Sequence, residues 1–370
     1  MSKKKVLIFG MTAGYGGVES FVMNYARNIN GNEIELDFLA YNTPPAYEKE
    51  ISKMGCKIHI VTGRGKNPLK CAKEIQNIIK NGNYDAVWSN LCYLSDILVL
   101  KYAKRYNIPV RIVHSHNSVN MSGKLNGMLH KINKKIIGKY ATDFWTCSDL
   151  AGEFFYTDKI RQSEKYKTIP NAVDTEKFSF DIDARKLKRK ELKIENRLVI
   201  GNVGRLHFQK NHTFLLDVFK EVLAENPNCV LLLIGDGDAE LCANLESKCK
   251  KLKISDRVLF LGRRNDINEL MSAMDIFVMP SLFEGFPVAL VEALSSNLPC
   301  FAASTITKEI KPLGNIEYID LKEPASKWAR HILNAETNAH RDVLSNVKNA
   351  GYDIHDQAKE MINFFINYDL

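Results

Sequence analysis

Short apolar runs alternate with amphipathic segments along the whole chain. Each run is followed by a turn signal or by apolar positions at helical spacing, which predicts strands and helices in alternation. The predicted strands are 5–9, 35–40, 57–61, 86–89, 110–114 and 144–148, and then 198–203, 230–234, 258–261, 276–279 and 300–303. Such alternation is typical of parallel sheets covered by helices. The sequence therefore predicts an α/β protein with two Rossmann-like halves.

The boundary between the halves follows Pro170-Asn171-Ala172-Val173-Asp174 and includes the charged run 181–193. At 370 residues the chain exceeds what a single core usually supports. We predict a first domain over 1–175 and a second over 176–352. Residues 353–370 form an amphipathic terminal helix, and its pattern alone does not show which half it packs on.

The stretch from Pro280 to Ala293 predicts the end of a strand, a tight loop and a helix. Pro287 suits the first helical position, because its missing N–H has no partner there. We expect the amides of Val288, Ala289 and Leu290 to point out of the helix, where an anion is stabilised.

Two carboxylates accompany this helix, Glu284 in the loop and Glu292 eight residues later. Together with the amides they suit a ligand that carries phosphates and hydroxyls, such as a nucleotide sugar. The alternative is an ordinary helix start that Glu284 stabilises, with Glu292 solvated.

A glycine loop at 14, 16 and 17 follows the first predicted strand. It does not form G-x-G-x-x-G, and no Gly-Lys-Ser/Thr follows, so neither a dinucleotide fingerprint nor a P-loop is indicated. Gly16 and Gly17 would allow close backbone approach to a phosphate or an acceptor; a plain tight turn is the alternative.

Three further loops follow predicted strands, at the edge where ligands bind in such sheets. His116 follows strand 110–114, although a histidine there is often structural. Arg205 and Lys210 follow strand 198–203 and would suit a diphosphate, unless they are ordinary surface charges. The loop Arg263-Arg264-Asn265 could face a base.

Charge is unevenly placed within the net +8. Residues 1–200 hold 33 Lys and Arg against 20 Asp and Glu, and residues 201–370 hold 18 against 23. Between Lys101 and Tyr140 nine residues are basic and none is acidic. A basic half suits a polyanionic substrate, an anionic membrane or nucleic acid, or is simply a lysine-rich surface.

Part of this basic segment, 123–140, predicts an amphipathic helix. Its apolar positions are Leu125, Leu129, Ile132, Ile136 and Tyr140. We interpret this stripe as packing against the sheet; contact with an anionic membrane or a lipid diphosphate is the alternative.

The composition is that of a soluble globular protein. No apolar run reaches membrane-spanning length, and the start of the chain lacks a signal-peptide core. The eight cysteines form no C-x-x-C pair, which argues against disulfides and zinc and favours small core residues. We expect a cytoplasmic protein.

Taken in order, these motifs resemble the retaining glycosyltransferases of family 4, which have the two-domain GT-B architecture. The resemblance covers nearly the whole chain. The sequence around residues 263–292 is most similar to that of the exopolysaccharide and capsule branch of the family. The matching segments are Gly-Gly-Val-Glu at 16–19, His-Ser-His at 114–116, Pro-Asn-Ala-Val-Asp at 170–174, Gly-Arg-Leu to Lys-Asn at 204–211, and Glu-Gly-Phe-Pro to Glu-Ala at 284–293. Ala172 departs from the family, where glycine is more usual.

The resemblance implies two domains facing across a cleft, with the terminal helix crossing back to the first. It assigns Arg205 and Lys210 to the donor diphosphate, Glu292 to the ribose and Glu284 to the transferred sugar. It places His116 near the reacting carbon. The resemblance gives the remaining contacts to the backbone of Phe286, Pro287, Val288 and Ala289 near the sugar and phosphate, to Gly16 and Gly17 closing the diphosphate pocket, and to Arg264 and Asn265 bordering the base.

Retention, through a front-face mechanism without a protein nucleophile, is likewise implied only by the family. Because Arg205 and Lys210 already supply the charge that a metal ion would give, we expect no metal and no cofactor beyond a UDP-sugar donor.

The leading hypothesis is transfer of a hexose or N-acetylhexosamine to a lipid-diphosphate-linked saccharide at the inner membrane face, with peripheral contact to anionic lipid. A GT-B sugar-nucleotide epimerase and a non-catalytic protein binding anionic membrane or nucleic acid are the rivals. The absence of an aromatic-basic motif argues against nucleic acid.

Overall fold

The computed structural model describes residues 3–119, 123–336 and 343–368. The chain forms two compact units, Met1–Ala172 together with Ile354–Leu370, and Val173–Asp353. The sequence prediction placed these boundaries at 175/176 and 352/353.

The first unit is built on a parallel sheet of seven strands in the order β3-β2-β1-β4-β5-β6-β7. Its strands are β1 (Lys4–Phe9), β2 (Ile34–Tyr41), β3 (Lys57–Val61), β4 (Ala86–Leu91), β5 (Val110–Ser115), β6 (Asp143–Thr146) and β7 (Tyr166–Thr168). Its helices are α1 (Gly17–Ile29), α2 (Glu48–Lys53), α3 (Pro68–Asn81), α4 (Leu98–Arg105), α5 (Gly123–Ile136), α6 (Asp149–Phe155), α7 (Asp158–Arg161) and the terminal α15 (Ile354–Ile366).

The second unit is built on a parallel sheet of six strands in the order β10-β9-β8-β11-β12-β13. Its strands are β8 (Leu198–Val203), β9 (Cys229–Ile234), β10 (Val258–Gly262), β11 (Ile276–Met279), β12 (Cys300–Ala303) and β13 (Ile316–Ile319). Its helices are α8 (Ile182–Leu192), α9 (His212–Glu225), α10 (Ala239–Leu252), α11 (Ile267–Ala273), α12 (Val288–Ser295), α13 (Ala325–Leu333) and α14 (Val343–Asn349).

Both sheets follow from the apolar runs of the sequence. Strands such as β4 and β9 are buried along their whole length, because helices cover both faces of a parallel sheet. Polar residues start several helices: the side chains of Asn67, Asp181 and Asp238 accept hydrogen bonds from the first amides of α3, α8 and α10. The predicted α/β class with two Rossmann-like halves is confirmed.

Helix α15 belongs to the first unit and packs its apolar face there. Ile354, Ala358, Met361 and Phe365 are buried in the same core as Tyr25 of α1 and Trp145 of β6. The return of the terminal segment to the first domain is therefore confirmed.

The division into units also refines the charge distribution. The first unit holds 26 Lys and Arg against 17 Asp and Glu, whereas the second holds 25 against 26. The basic run of α8 lies in the second unit, where Arg189 donates to Asp275 at 2.6 Å and Lys188 pairs with Asp266 at 2.6 Å. The basic excess thus belongs to the first unit.

Helix α5 packs only part of its predicted apolar stripe: Ile136 and the following Tyr140 pack against the core of the first unit, whereas the earlier positions do not. Leu125 and Ile132 are 66% and 49% exposed, and Met128 beside them is 54% exposed. His130 and Asn133 are buried instead, because both find partners in the β4–α4 loop: His130 Nδ1 accepts from the Leu94 amide at 3.0 Å and Asn133 donates to the Leu94 carbonyl. A polar face holds this helix to the unit, and an apolar face is left outside.

Six of the eight cysteines are buried and none forms a disulfide. Within the described ranges, no helix combines the length and the apolar character needed to cross a membrane.

Candidate functional site

In the second unit, the loops that follow the carboxyl ends of β8, β9 and β10 are joined by backbone hydrogen bonds. The Gly204 amide donates to the Ile234 carbonyl at 2.9 Å, and the Gly235 amide donates to the Gly262 carbonyl at 2.9 Å. Gly235 has a φ of +143°, and a Cβ on it would lie 2.1 Å from the Gly204 carbonyl oxygen. This close approach requires glycine, and it fixes the loop that carries the predicted cations.

Lys210 and Glu284 form the centre of the candidate site. Lys210 Nζ lies 2.8 Å from Glu284 Oε1, and the Glu284 side chain is buried. Gln209 holds the other carboxylate oxygen at 3.3 Å and also donates to the Phe283 carbonyl at 2.9 Å. The Leu282 amide donates back to the Gln209 carbonyl at 2.8 Å. Two predicted site residues are therefore already paired, and Gln209 connects the two loops that carry them.

A buried polar pair supports this loop from the end of β8 and the start of α9. Asn202 donates to the Val278 carbonyl at 2.7 Å, and its Oδ1 lies 3.1 Å from His212 Nε2. Burial, reinforced by the nearby Lys210 charge, lowers the pKa of His212 to about 4. His212 is thus neutral near pH 7 and adds no second charge beneath Lys210.

The remaining predicted cations differ in availability. Arg205 is exposed, and its guanidinium makes no hydrogen bond or ion pair within the part of the chain that the structure describes. Arg264 instead donates to Asp266 at 2.8 and 2.6 Å and to Glu191 at 3.2 Å, and these bonds raise its pKa. The Arg264 side chain is therefore held inside an ion network, while Asn265 next to it is exposed.

The start of α12 departs from the expectation that three amides point outward. The helix begins at Val288, so Pro287 precedes it, and the tight turn directs the Val288 amide to the Phe286 carbonyl at 3.1 Å. The Leu290 amide donates to the Pro287 carbonyl at 2.9 Å. The expectation is wrong for these two amides, and among the described residues the Ala289 amide has no backbone acceptor. The Phe286 ring is buried and stacks on Tyr352.

Glu292 is half-buried on α12. Burial raises the pKa of its carboxyl from 4.5 to about 7, and the Lys177 charge opposes this only partly. A carboxyl in this state gains most from a ligand that donates hydrogen bonds to it.

In the first unit, His116 lies just beyond the end of β5 and is buried. Its Nε2 lies 2.9 Å from Asn90 Oδ1, and its ring stacks on His114 with centroids 4.2 Å apart. The Asn90 side-chain NH₂ donates to the Trp88 carbonyl at 3.4 Å, so the Asn90 Oδ1 faces His116. Because Oδ1 can only accept a hydrogen bond, the proton is on His116 Nε2. Burial lowers the pKa of His116 to about 3, so His116 is a neutral ring whose Nδ1 can accept a hydrogen bond.

The glycine loop precedes α1 in the same unit, and Gly16 is the residue before the helix. Nothing lies within 4 Å of a Cβ built on Gly17, whereas one on Gly16 would lie 2.9 Å from Glu19 Oε2. The two glycines are therefore not equivalent.

Sequence reasoning missed an Asp-x-Asp triplet, Asp236-Gly237-Asp238, in the loop that follows β9. Asp238 Oδ1 accepts from the Leu241 amide at 2.8 Å and so caps α10. Over the described ranges, no three His, Cys, Asp or Glu side chains are grouped as a metal site requires.

Sequence reasoning missed three residues that hold the predicted ones: Gln209, Asn90 and Glu19. Gln209 immediately precedes Lys210, and Glu19 closes the Gly-Gly-Val-Glu motif, so both positions were visible. Asn90 carried no signal, because only the pairing of β4 with β5 brings it beside His116.

Comparison with known proteins identifies the family. Residues 15–177 match Glycosyltransferase Family 4, and residues 183–311 match Glycosyl transferases group 1. A protein of Bacillus subtilis (strain 168) named as a glycosyltransferase, EpsF, is 33% identical over 377 residues, which cover 98% of this chain and 97% of that protein. The chain belongs to glycosyltransferase family 4. The prediction of a glycosyltransferase is confirmed.

Two further relatives of this family 4 chain have more specific names. One is the UDP-Gal:alpha-D-GlcNAc-diphosphoundecaprenol alpha-1,3-galactosyltransferase of Escherichia coli, 40% identical over 242 residues, covering 64% of this chain and 62% of that protein. The other is the capsular polysaccharide biosynthesis glycosyltransferase CapH of Staphylococcus aureus, 27% identical over 300 residues, covering 80% and 79%. The predicted similarity to the exopolysaccharide and capsule branch is confirmed.

The fold of this family 4 protein is that of solved glycosyltransferase structures. The crystal structure of Anabaena Alr3699/HepE in complex with UDP matches with a TM-score of 0.80 at 18% identity, covering 98% of this chain and 99% of that chain. The predicted GT-B fold is confirmed.

Glu292 gives a test of the site that needs no ligand. The folded state holds the Glu292 proton up to about pH 7, whereas the unfolded state releases it near 4.5. Stability is therefore lost as pH rises from 4.5 to 7, because the ionised carboxyl is poorly solvated in the folded protein. We expect Glu292→Gln to be more stable than the wild type by about 1–3 kcal/mol at pH 8, with a smaller difference at pH 5. Urea denaturation at both pH values measures this, and an unchanged difference would contradict it.

Proposed function

We propose that this protein transfers a hexose or N-acetylhexosamine from a UDP-sugar, with retention, to a lipid-diphosphate-linked saccharide in exopolysaccharide or capsule synthesis. The observation that carries the proposal is the Lys210–Glu284 pair, held by Gln209 on the same loop as the exposed Arg205. The names of relatives support its finer points: one uses UDP-Gal and a diphosphoundecaprenol acceptor, and a solved structure of the same fold binds UDP.

The cations supply what departure of UDP requires. When the glycosidic bond breaks, negative charge develops on the β-phosphate, and fixed cations stabilise it. A lysine ammonium has three donors, so Lys210 can hold Glu284 at 2.8 Å and still reach phosphate oxygens. The uncommitted guanidinium of Arg205 offers a planar fork for two oxygens.

Glu284 is assigned to orientation of the transferred sugar. Its two oxygens already bind Lys210 and Gln209, which lowers their nucleophilicity and fixes the direction of the carboxylate. This supports a front-face mechanism in which the departing phosphate oxygen takes the proton of the acceptor hydroxyl. The Glu292 carboxylate accepts hydrogen bonds from the ribose hydroxyls, and those hydrogen bonds favour its ionised form.

In the first unit we assign His116, Gly16 and Gly17 to substrate contact. Nδ1 of the neutral His116 ring can accept a hydrogen bond from a sugar hydroxyl, but the ring cannot supply a positive charge near pH 7. Gly16 and Gly17 would let the chain approach a phosphate closely. In the second unit, the Ala289 amide assists Phe286, Pro287 and Val288 in lining the sugar and phosphate, and Asn265 with Arg264 borders the base.

Acceptor-dependent turnover tests the function. With a panel of UDP-sugars, we expect UDP release only when a lipid-diphosphate-linked saccharide is added. Glu284→Ala should lower turnover by about 10³-fold or more with little change in melting temperature, since sugar orientation is lost. Glu240→Ala, which removes an exposed carboxylate of α10, is the matched control.

Two results would overturn this assignment. Isomerisation of a UDP-sugar without acceptor would identify an epimerase. Near-normal turnover of Glu284→Ala would remove Glu284 from the site.

Metal independence is a separate prediction. Because Lys210 and Arg205 provide the charge at the diphosphate, we expect full activity in excess EDTA. Inactivation by EDTA with recovery on adding Mg²⁺ or Mn²⁺ would contradict it. Asp236→Asn would then show whether the triplet after β9 holds the ion.

Helix α5 supports peripheral contact with an anionic membrane, where such an acceptor resides. Its outer face presents Leu125, Met128 and Ile132, and Lys124, Lys131 and Lys135 flank this apolar strip. Apolar side chains can enter the lipid boundary while lysines meet anionic headgroups, each contributing about 1 kcal/mol. The buried His130 and Asn133 anchor the helix, so it need not rotate to expose this strip.

Vesicle binding tests this face. We expect the protein to sediment with vesicles containing anionic lipid and not with neutral ones. The double variant Leu125→Ser/Ile132→Ser should weaken binding about tenfold or more, and Lys131→Gln/Lys135→Gln should weaken it at low salt. Leu69→Ser is the control, because Leu69 is 84% exposed on α3 outside this face. Equal binding of all variants would refute the proposal, and a change of oligomeric state in the double variant would show a contact between copies instead.

A further inference from the structure

Glu19 is a buried carboxylate at the start of α1 that binds outside its own helix. It is the third residue of the helix and 5% exposed. Its Oε1 accepts hydrogen bonds from the Thr12 amide at 2.9 Å and from the Thr12 hydroxyl at 2.8 Å. A carboxylate in a first helical turn usually serves the helix itself. Here it reaches back across the glycine loop.

Thr12 in turn forms hydrogen bonds with Gly14 in the loop and with Ala46. Its hydroxyl oxygen accepts from the Gly14 amide at 3.3 Å, and its carbonyl accepts from the Ala46 amide at 2.7 Å. Residues 12–14 are exposed and bury no side chain that could hold them. The conformation of residues 12–14 therefore depends on these hydrogen bonds, and Glu19 is their buried end. Further along the loop, Tyr15 packs edge-on against Tyr47 with ring centroids 4.8 Å apart.

The need for glycine at 16 follows from Glu19. Gly16 has φ −147° and ψ −175°, an extended conformation that any residue adopts, so its backbone does not require glycine. A Cβ at this position would lie 2.9 Å from Glu19 Oε2, closer than such atoms approach. Glu19 is buried and its Oε1 is held by Thr12, so the shift of Oε2 that an alanine at 16 requires would strain those hydrogen bonds.

We propose that Glu19 is a positioning residue that holds the glycine loop 12–17 ready for its ligand, and that Gly16 is glycine to leave room for the Glu19 carboxylate. This inference rests on the proposed assignment of Gly16 and Gly17 to substrate contact. It assigns Glu19 no contact with substrate. Glu19 keeps the amides of the loop in their binding positions before the ligand arrives, and this preorganisation raises the affinity for the ligand.

A double-mutant cycle with UDP as the probe tests the inference on the full-length protein. We expect Gly16→Ala to weaken UDP binding about tenfold in the wild type and less than twofold in the Glu19→Ala background, because the displaced carboxylate is already absent. Glu19→Ala alone should weaken binding about as much as Gly16→Ala. Glu19→Gln should recover most of the affinity, since its amide oxygen can still accept from Thr12.

Two further variants separate positioning from general damage. Gly31→Ala adds a methyl at the other end of α1, where nothing lies within 4 Å, and should leave UDP binding within twofold of the wild type. Thr12→Val, at an exposed residue, removes the hydroxyl that connects Glu19 to the Gly14 amide and keeps the bond from the Thr12 amide to Glu19. It should weaken UDP binding, and its effect should again shrink when combined with Gly16→Ala.

The results against the inference are distinct from those against the proposed function. If the double variant Gly16→Ala/Glu19→Ala loses UDP affinity by the product of the two single-variant losses, Gly16 acts independently of Glu19. That result would overturn the inference and leave the proposed site in place. Normal UDP binding in both single variants would remove the glycine loop from the donor site and overturn the inference with it. No UDP binding by the wild type would contradict the proposed donor itself.

Discussion

Every strand pairing in the two sheets is parallel, and that constraint determines where chemistry is located in this molecule. Parallel strands need crossover helices, which bury both faces of the sheet and leave the strand interiors apolar. The side chains of the candidate site are accordingly found where strands end. His116, Arg205 and Glu284 all follow the carboxyl ends of strands, and each lies in a loop that neighbouring strand ends hold in place.

Within the second unit, the Lys210–Glu284 pair is the interaction on which the site depends. A buried carboxylate without a partner is costly, so Glu284 needs Lys210 even when no ligand is bound. Removing Lys210 would take the counter-charge from the buried Glu284, and a loss of activity in such a variant would combine this destabilisation with the loss of the cation at the diphosphate. Changes at Glu284 are easier to interpret, because Lys210 is the more accessible partner and can be solvated.

Much of the fold could be read from the sequence because apolar runs mark the buried strands directly. The edge strands β7 and β13 were missed because neither is a continuous apolar run: β7 is Tyr-Lys-Thr with no buried residue, and in β13, Ile-Glu-Tyr-Ile, only the two isoleucines are buried. The first part of the stripe on α5, with Leu125 and Ile132, was misread because an apolar pattern does not show which face is buried. The polar His130 and Asn133 took the inner side through their bonds to Leu94, a partner that no local pattern shows.

The candidate site was predictable to the extent that residue type and strand-end position determine it. Lys210, Glu284 and Glu292 lie on one unit, as their order in the chain suggested. What sequence could not give was the state of each group. Arg264 is an arginine like Arg205, yet Asp266 and Glu191 hold its guanidinium while that of Arg205 is exposed. Such differences arise from side chains that are distant in the chain or that compete for the same donor.

The net charges of the units show why charge must be read locally. The second unit carries about as many acidic as basic residues, yet Arg205 and Lys210 lie on one loop of six residues, where they can bind a single diphosphate together. The basic excess of the first unit is of another kind. Lys124, Lys131 and Lys135 are spread over eleven residues of α5, about 16 Å along the helix, which is roughly twice the screening length of about 8 Å in physiological salt. A row of charges of this length suits an extended anionic surface better than one small anion.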